Sequence, residues 1–216
     1  MLDFHTHNLN APAPAIISLP ADILLKQRLP DFRAGIGYAV GIHPWDTKDQ
    51  TLETLSPLWE AVVCTASHPT VVMIGETGLD ALRDNMNVQF ALFEQHIILS
   101  EQVQKPMVIH NVRSTHHLLA FRHRHRPKQR WVVHGFRGKP LQAQQLLDAG
   151  IDLSFSVHCH PATLQACPLN RLHIETDDSA LSISAVYASL LAQRPSLSDK
   201  DFSAEIATFF PKNLAI

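Results

Sequence analysis

Apolar residues gather in short runs that recur along the chain, most of them closed by a histidine, a carboxylate or a glycine. Eight runs stand out, at 2–7, 15–19, 38–43, 71–76, 107–111, 131–135, 152–156 and 172–177. They are nearly continuous rather than alternating, which is the pattern of parallel strands buried on both faces. Between most of them the period turns helical. Residues 49–68 carry Leu52, Leu55, Leu58, Trp59, Val62 and Val63 on one stripe, and 87–104 carry Phe90, Phe93, Ile97 and Val103. A shorter helix at 140–149 stops at Gly150, and helices at 184–193 and 199–210 follow the last strand. Alternating strands and helices predict an α/β fold, a (β/α)8 TIM-type barrel. Typical barrels take about 250 residues, so one built from 216 is compact. The interval between the first two strands is too short for a helix. An open, doubly wound sheet is the structural rival. No linker or repeat divides the chain, so 1–216 are expected to form a single barrel domain.

Composition narrows the function classes. With a formal net charge of −2 there is no overall positive field, so any contact with nucleic acid is local. Cys64, Cys159 and Cys167 are odd in number and irregularly spaced, which fits reduced thiols in a cytoplasmic protein. No apolar run approaches the roughly 18–20 residues of a membrane span, and the N-terminus lacks a secretory pattern. A cytoplasmic protein with no membrane contact and no obligate protein partner is expected.

Chemistry concentrates where the strands end. His5 and His7 close the first run, His43 the third, Glu76 the fourth, His110 the fifth, His134 the sixth and Asp177 the eighth. In a barrel all C-terminal strand ends meet on one face, where active sites form. Gly41, Gly75, Gly78, Gly135 and Gly138, five of only 8 glycines, fall beside these positions and mark strand-to-loop turns. In Asp3-Phe4-His5-Thr6-His7, period-two alternation puts both imidazoles on one side with Asp3 beneath them. Glu175 lies beneath Asp177 in the same way. Buried carboxylates need partners, and the second nitrogen of a metal-bound imidazole is a natural one. His173 points the same way and is expected to be a satisfied interior residue. The histidines and carboxylates exceed what one zinc ion takes. They suit two divalent metal ions sharing a bridging carboxylate, about 3.5–4 Å apart. Zinc, manganese and magnesium are the candidates, and the imidazole content favours the first two.

Taken in order, these residues resemble the TatD-like metal-dependent deoxyribonucleases, within the amidohydrolase-type barrels. The matching pieces are Asp3-Phe4-His5-Thr6-His7, Gly41-Ile42-His43-Pro44, Ile74-Gly75-Glu76-Thr77-Gly78-Leu79-Asp80, Gln89-Phe90, Lys105-Pro106-Met107-Val108-Ile109-His110, His134-Gly135-Phe136-Arg137-Gly138 and Ile174-Glu175-Thr176-Asp177. The resemblance implies metal-dependent cleavage of DNA phosphodiesters through a metal-activated water, exonucleolytic and on single-stranded ends. It implies His5, His7 and Asp177 as ligands of a first ion, Glu76 as the bridge, and His110 and His134 as ligands of a second. Asp177 is the implied proton acceptor, with Glu76 beside it in the catalytic pair. His43 is implied to face the substrate phosphate. The chain departs from the family in being short after strands one and seven. It also has Asp178-Ser179 after the last motif, and Arg113 three positions beyond His110 rather than two.

Arg113, Arg137 and Lys139 follow strands and so belong to the same face, where they are candidate phosphate contacts. The basic stretch 122–130 joins a helix to strand six at the opposite end and is expected to be a solvated helix terminus. His158-Cys159-His160 lacks zinc-ligand spacing and is at most a rim element. Cys64 is expected in the core, and His68, His96, His116 and His117 on the surface. Two other functions remain open at this point: hydrolysis of a small amide, ester or phosphate compound, and a degenerate metal-binding protein that only binds nucleic acid or a partner.

Overall fold

The computed structural model describes residues 1–26 and 29–210. Eight strands run parallel in the order of the chain: β1 (Asp3–Thr6), β2 (Ala15–Ser18), β3 (Ile36–Val40), β4 (Val71–Asp80), β5 (Met107–Val112), β6 (Trp131–Val133), β7 (Ile151–Phe155) and β8 (Leu172–Ile174). The ring is closed beyond β8 by a single bridge between Thr6 and Asp177. There the Asp177 N–H donates to the His5 carbonyl at 3.0 Å and the His7 N–H to the Asp177 carbonyl at 3.4 Å. This is the expected TIM-type barrel, and the open sheet is excluded.

Among the described residues the helices are α1 (Ala21–Leu25), α2 (Ser56–Ala66), α3 (Met86–Val103), α4 (Thr115–His125), α5 (Pro140–Asp148), α6 (Pro161–Ala166), α7 (Ile183–Gln193) and α8 (Phe202–Phe209). As the spacing requires, no helix is described between β1 and β2. The outer faces of the strands pack Ile17, Tyr38, Ile109, Trp131 and Leu153 against helix residues such as Phe93 and Leu146.

Inside the barrel lies a second apolar cluster of Phe4, Ile16, Ala39, Met73, Val108 and Val132. Phe209 and Phe210, at the end of α8, join it, with Phe209 edge-on to Phe4 at 5.0 Å. His173 stacks on Phe4 at 4.4 Å and is held between Glu205 at 2.5 Å and Asp152 at 3.4 Å. It is the satisfied interior histidine expected. The lower barrel is thus filled, which leaves the upper end for polar side chains.

Three expectations fail for physical reasons. Cys64 is exposed, because α2 buries Leu58, Ala61, Val62 and Ala66 and turns residue 64 outward. In the 122–130 stretch, Arg122 is not simply solvated. It donates to the carbonyls of Gln129, Ala149 and Gly150 and covers the Trp131 ring, while Arg130 pairs with buried Asp152 at 2.6 Å. His96, finally, is fully buried rather than on the surface. It lies on the same stripe of α3 as Gln89, Leu92 and Phe93, where a polar residue is tolerated if both its nitrogens are used. Nδ1–H donates to the Leu92 carbonyl at 2.7 Å, and Nε2 accepts the Ile42 N–H at 3.0 Å.

Burial lowers the His96 pKa from 6.5 to about 4. The unfolded chain therefore binds a proton here that the folded chain refuses between those values. The stabilising contribution is complete above pH 6.5 and falls as the pH drops toward 4, by about 1.4 kcal/mol per pH unit. In denaturant titrations the stability of wild type relative to His96→Gln should shrink between pH 7.5 and pH 5. A pH-independent difference would refute the buried neutral state.

Candidate metal centre

At the upper end of the barrel the Glu76 carboxylate is surrounded by imidazoles. Its Oε2 lies 3.2 Å from Nε2 of both His5 and His7. Its Oε1 lies 2.7 Å from His134 Nε2, 2.9 Å from His43 Nε2 and 3.0 Å from His110 Nδ1. The two oxygens therefore divide five histidines into two sets. Asp177 Oδ1 stands on the Oε2 side, 3.7 Å from His7 Nε2 and 3.9 Å from His5 Nε2.

Local backbone irregularities make this convergence possible. β1 shifts register between Asp3 and Thr6, and β4 shifts against β5 between Ile74 and Thr77. In β1 the shift breaks the simple alternation, so Phe4 fills the barrel interior while His5 still reaches the site. Asp3 consequently does not support a ring. Its carboxylate accepts from the Thr176 N–H at 2.9 Å and the Thr176 hydroxyl at 2.7 Å. Burial pushes its pKa up to about 6 against those bonds. Asp3 thus anchors the segment that carries Asp177, rather than an imidazole. Glu175 does face one: its Oε1 accepts the Gly135 N–H at 2.6 Å and lies 3.5 Å from His134 Nδ1. At β3, Gly41 lets the backbone come close, since a Cβ there would sit 2.7 Å from the Glu76 carbonyl oxygen and the Gly75 Cα.

Ring partners sort the histidines chemically. His43 Nδ1 accepts the Trp45 N–H at 3.0 Å, so a neutral ring carries its proton on Nε2 and can only donate into the site. His110 turns Nε2 toward Asp80 Oδ2 at 3.3 Å and presents Nδ1. His134 turns Nδ1 toward Glu175 and presents Nε2. A lone pair presented to a carboxylate demands a positive charge between the two. Burial pushes Glu76 up, yet His134, His110 and His43 outweigh it and hold its carboxyl well below the usual range. Burial pushes His134 down, but Glu76 and Glu175 hold it well above the ordinary histidine value.

Two of the facing atoms have no hydrogen bond: buried His5 Nε2 and Glu76 Oε2 stand 3.2 Å apart. Unpaired buried groups of this kind are costly, and a divalent cation satisfies nitrogen and carboxylate together. The ligand atoms of His5, His7 and Asp177 lie within 4.8 Å of one another, and so do those of His5, Glu76 and His134, and of His43, Glu76 and His110. The donor set thus fits a metal centre of mixed imidazole and carboxylate character. His158, Cys159 and His160 join no such group among the described residues.

Arg113 and Arg137 are exposed and line the same cavity, of about 1090 Å³, as His7, His43 and Asp177; Lys139 does not line it. Two residues were missed by sequence reasoning. Asp80, on the same β4 parity as Glu76 and Gly78, receives His110 and also the Trp45 indole N–H at 2.8 Å. Trp45 follows His43 by two residues and lines the cavity. The period-two spacing from Glu76 was the available signal for Asp80.

Residues 23–183 match the family model of the TatD related DNase. The chain belongs to this family. It is 32% identical over 162 residues to a metal-dependent hydrolase of Buchnera aphidicola from Acyrthosiphon pisum, covering 68% of this chain and 60% of that one. It is 29% identical over 169 residues to the 3'-5' ssDNA/RNA exonuclease TatD of Klebsiella pneumoniae, covering 70% of this chain and 60% of that protein. The chain thus spans about 60% of the length of these curated relatives. In fold it is similar to the Escherichia coli TatD homologue YjjV, with a TM-score of 0.78, 20% identity and coverage of 96% and 97% of the two chains. A TatD-family hydrolase of Entamoeba histolytica gives 0.72 at 20% identity, over 92% and 85% of the two chains. The family match begins beyond β1 and so does not cover His5 and His7.

Carboxylates behind metal-bound histidines raise affinity by roughly 10–100-fold. Asp80→Asn should therefore weaken zinc binding by that order in a calorimetric titration, with circular dichroism unchanged. Unaltered affinity would show that Asp80 serves only the surrounding loop.

Proposed function

We propose that this TatD-family chain is a divalent-metal-dependent hydrolase that cleaves DNA phosphodiesters, working as an exonuclease on single-stranded ends. The observation that carries this reading is the division of the histidines between the two oxygens of Glu76. Glu76 with His5, His7 and Asp177 would hold one divalent ion, and Glu76 with His110 and His134 would hold a second. When bound, such ions supply Lewis acidity, activating water and offsetting charge on the phosphate.

The chain's own groups do the rest. Asp177, with its side chain 22% exposed and its Oδ1 among the ligand atoms, takes the proton of the attacking water. His43 donates its Nε2–H to a phosphate oxygen, a role supported by the Trp45 N–H occupying its Nδ1. Arg113 and Arg137 bind the neighbouring phosphates as charged donors. A cavity of about 1090 Å³ is at or beyond the upper limit for a small-molecule site. That favours a polymer end over a small amide or ester. The name of the Klebsiella relative supports the same substrate class.

Glu76→Gln should abolish release of nucleotides from an end-labelled single-stranded oligodeoxynucleotide, by a factor on the order of 100 or more, in a protein that remains folded. Wild-type cleavage that survives exhaustive chelation would overturn the metal mechanism. Arg113→Ala and Arg137→Ala should each reduce the slope of log affinity against log salt by about 0.7, the single-strand value for one lost phosphate contact. An unchanged slope would remove that residue from the substrate path.

A further inference from the structure

Trp45 is a large aromatic residue that the chain leaves in the open. It is 53% exposed and lines the same cavity as Glu76, His43 and Arg137. It sits in a short 3-10 turn (Pro44–Thr47) that begins with proline and is capped reciprocally by His43 and Asp46. Its indole N–H donates to buried Asp80 at 2.8 Å, which fixes the ring direction. The Arg83 guanidinium lies over the ring, 4.4 Å from its centroid, and the His43 ring stands perpendicular to it at 5.2 Å. Exposed aromatic surface is normally mobile or covered. Here it is pinned at the rim of a cavity that His43, Arg113 and Arg137 also line.

We infer that Trp45 is a stacking platform for a nucleobase of the bound strand, held in place by Asp80 and flanked by Arg83. The inference rests on the phosphodiesterase reading of the same site and adds to it a means of sensing the base. Aromatic rings next to phosphate-binding groups hold single strands in this way, because every base offers a π-face. A ring already fixed by its hydrogen bond loses little freedom on binding. The stacking is indifferent to base identity but requires a base to be present.

The test compares an oligodeoxynucleotide with versions in which the terminal nucleotides at either end are abasic tetrahydrofuran residues. Metal-loaded wild type should prefer the natural strand by about ten-fold, expressed in KM. Trp45→Ala should bring that preference close to one. Trp45→Phe keeps a stacking face but lacks the N–H to Asp80, so it should retain most of the preference while kcat falls. If Trp45→Ala discriminates against the abasic ends as wild type does, the platform is refuted.

Fluorescence anisotropy of the labelled strands with the metal-loaded proteins separates this inference from the hydrolytic reading. Base-dependent binding that Trp45→Ala abolishes, without any hydrolysis, supports the platform and overturns the nuclease. Hydrolysis with the same base preference in wild type and Trp45→Ala does the reverse. Neither binding nor hydrolysis overturns both.

Discussion

A carboxylate buried in a ring of imidazoles is the constraint on which the upper half of this barrel depends. Glu76 is almost fully buried, and burial alone would neutralise it. It stays ionised because His43, His110 and His134 surround one oxygen, while His5 and His7 flank the other. Three of those rings are in turn aimed by what lies behind them. Asp80 sets His110, Glu175 sets His134, and the Trp45 amide sets His43. The polar end is therefore organised outward from a single anion, and the partners of the rings decide which nitrogen faces inward.

The barrel supplies that anion with a fixed frame. Its lower interior is closed by Phe4, Met73 and Phe209, so side chains above have only the open mouth to fill. The seam between first and last strands passes through the site itself. Asp177 is tied to β1 through its own N–H and carbonyl, and Thr176 is tied to Asp3. Residues far apart in the chain are thereby locked together where His5, His7 and Asp177 meet. The close approach of β3 to Glu76 depends on Gly41, where any side chain would strike the backbone of β4.

Much of this was legible in the sequence, because strand ends repeat one habit. Continuous apolar runs closed by His, Glu or Asp gave the strand order, the shared face and the residues that now surround Glu76. What escaped was set by tertiary detail. A register shift in β1 sent Asp3 to Thr176 instead of to an imidazole, and no alternation rule reveals a bulge before the strands are paired. β4 runs four residues past Glu76, which brought Asp80 behind His110. His96 reads as a surface residue because it sits on a helix, yet it satisfies two backbone groups inside the helix layer. Arg122 and Arg130 bind carbonyls and Asp152 at the lower end, contacts that charge patterning does not encode.

Anomalous diffraction from crystals grown with zinc or manganese tests the sharing of Glu76 most directly. Two peaks are expected, one at each carboxylate oxygen, the first among His5, His7 and Asp177 and the second among His110 and His134. A single peak, or ions bound away from Glu76, would contradict it.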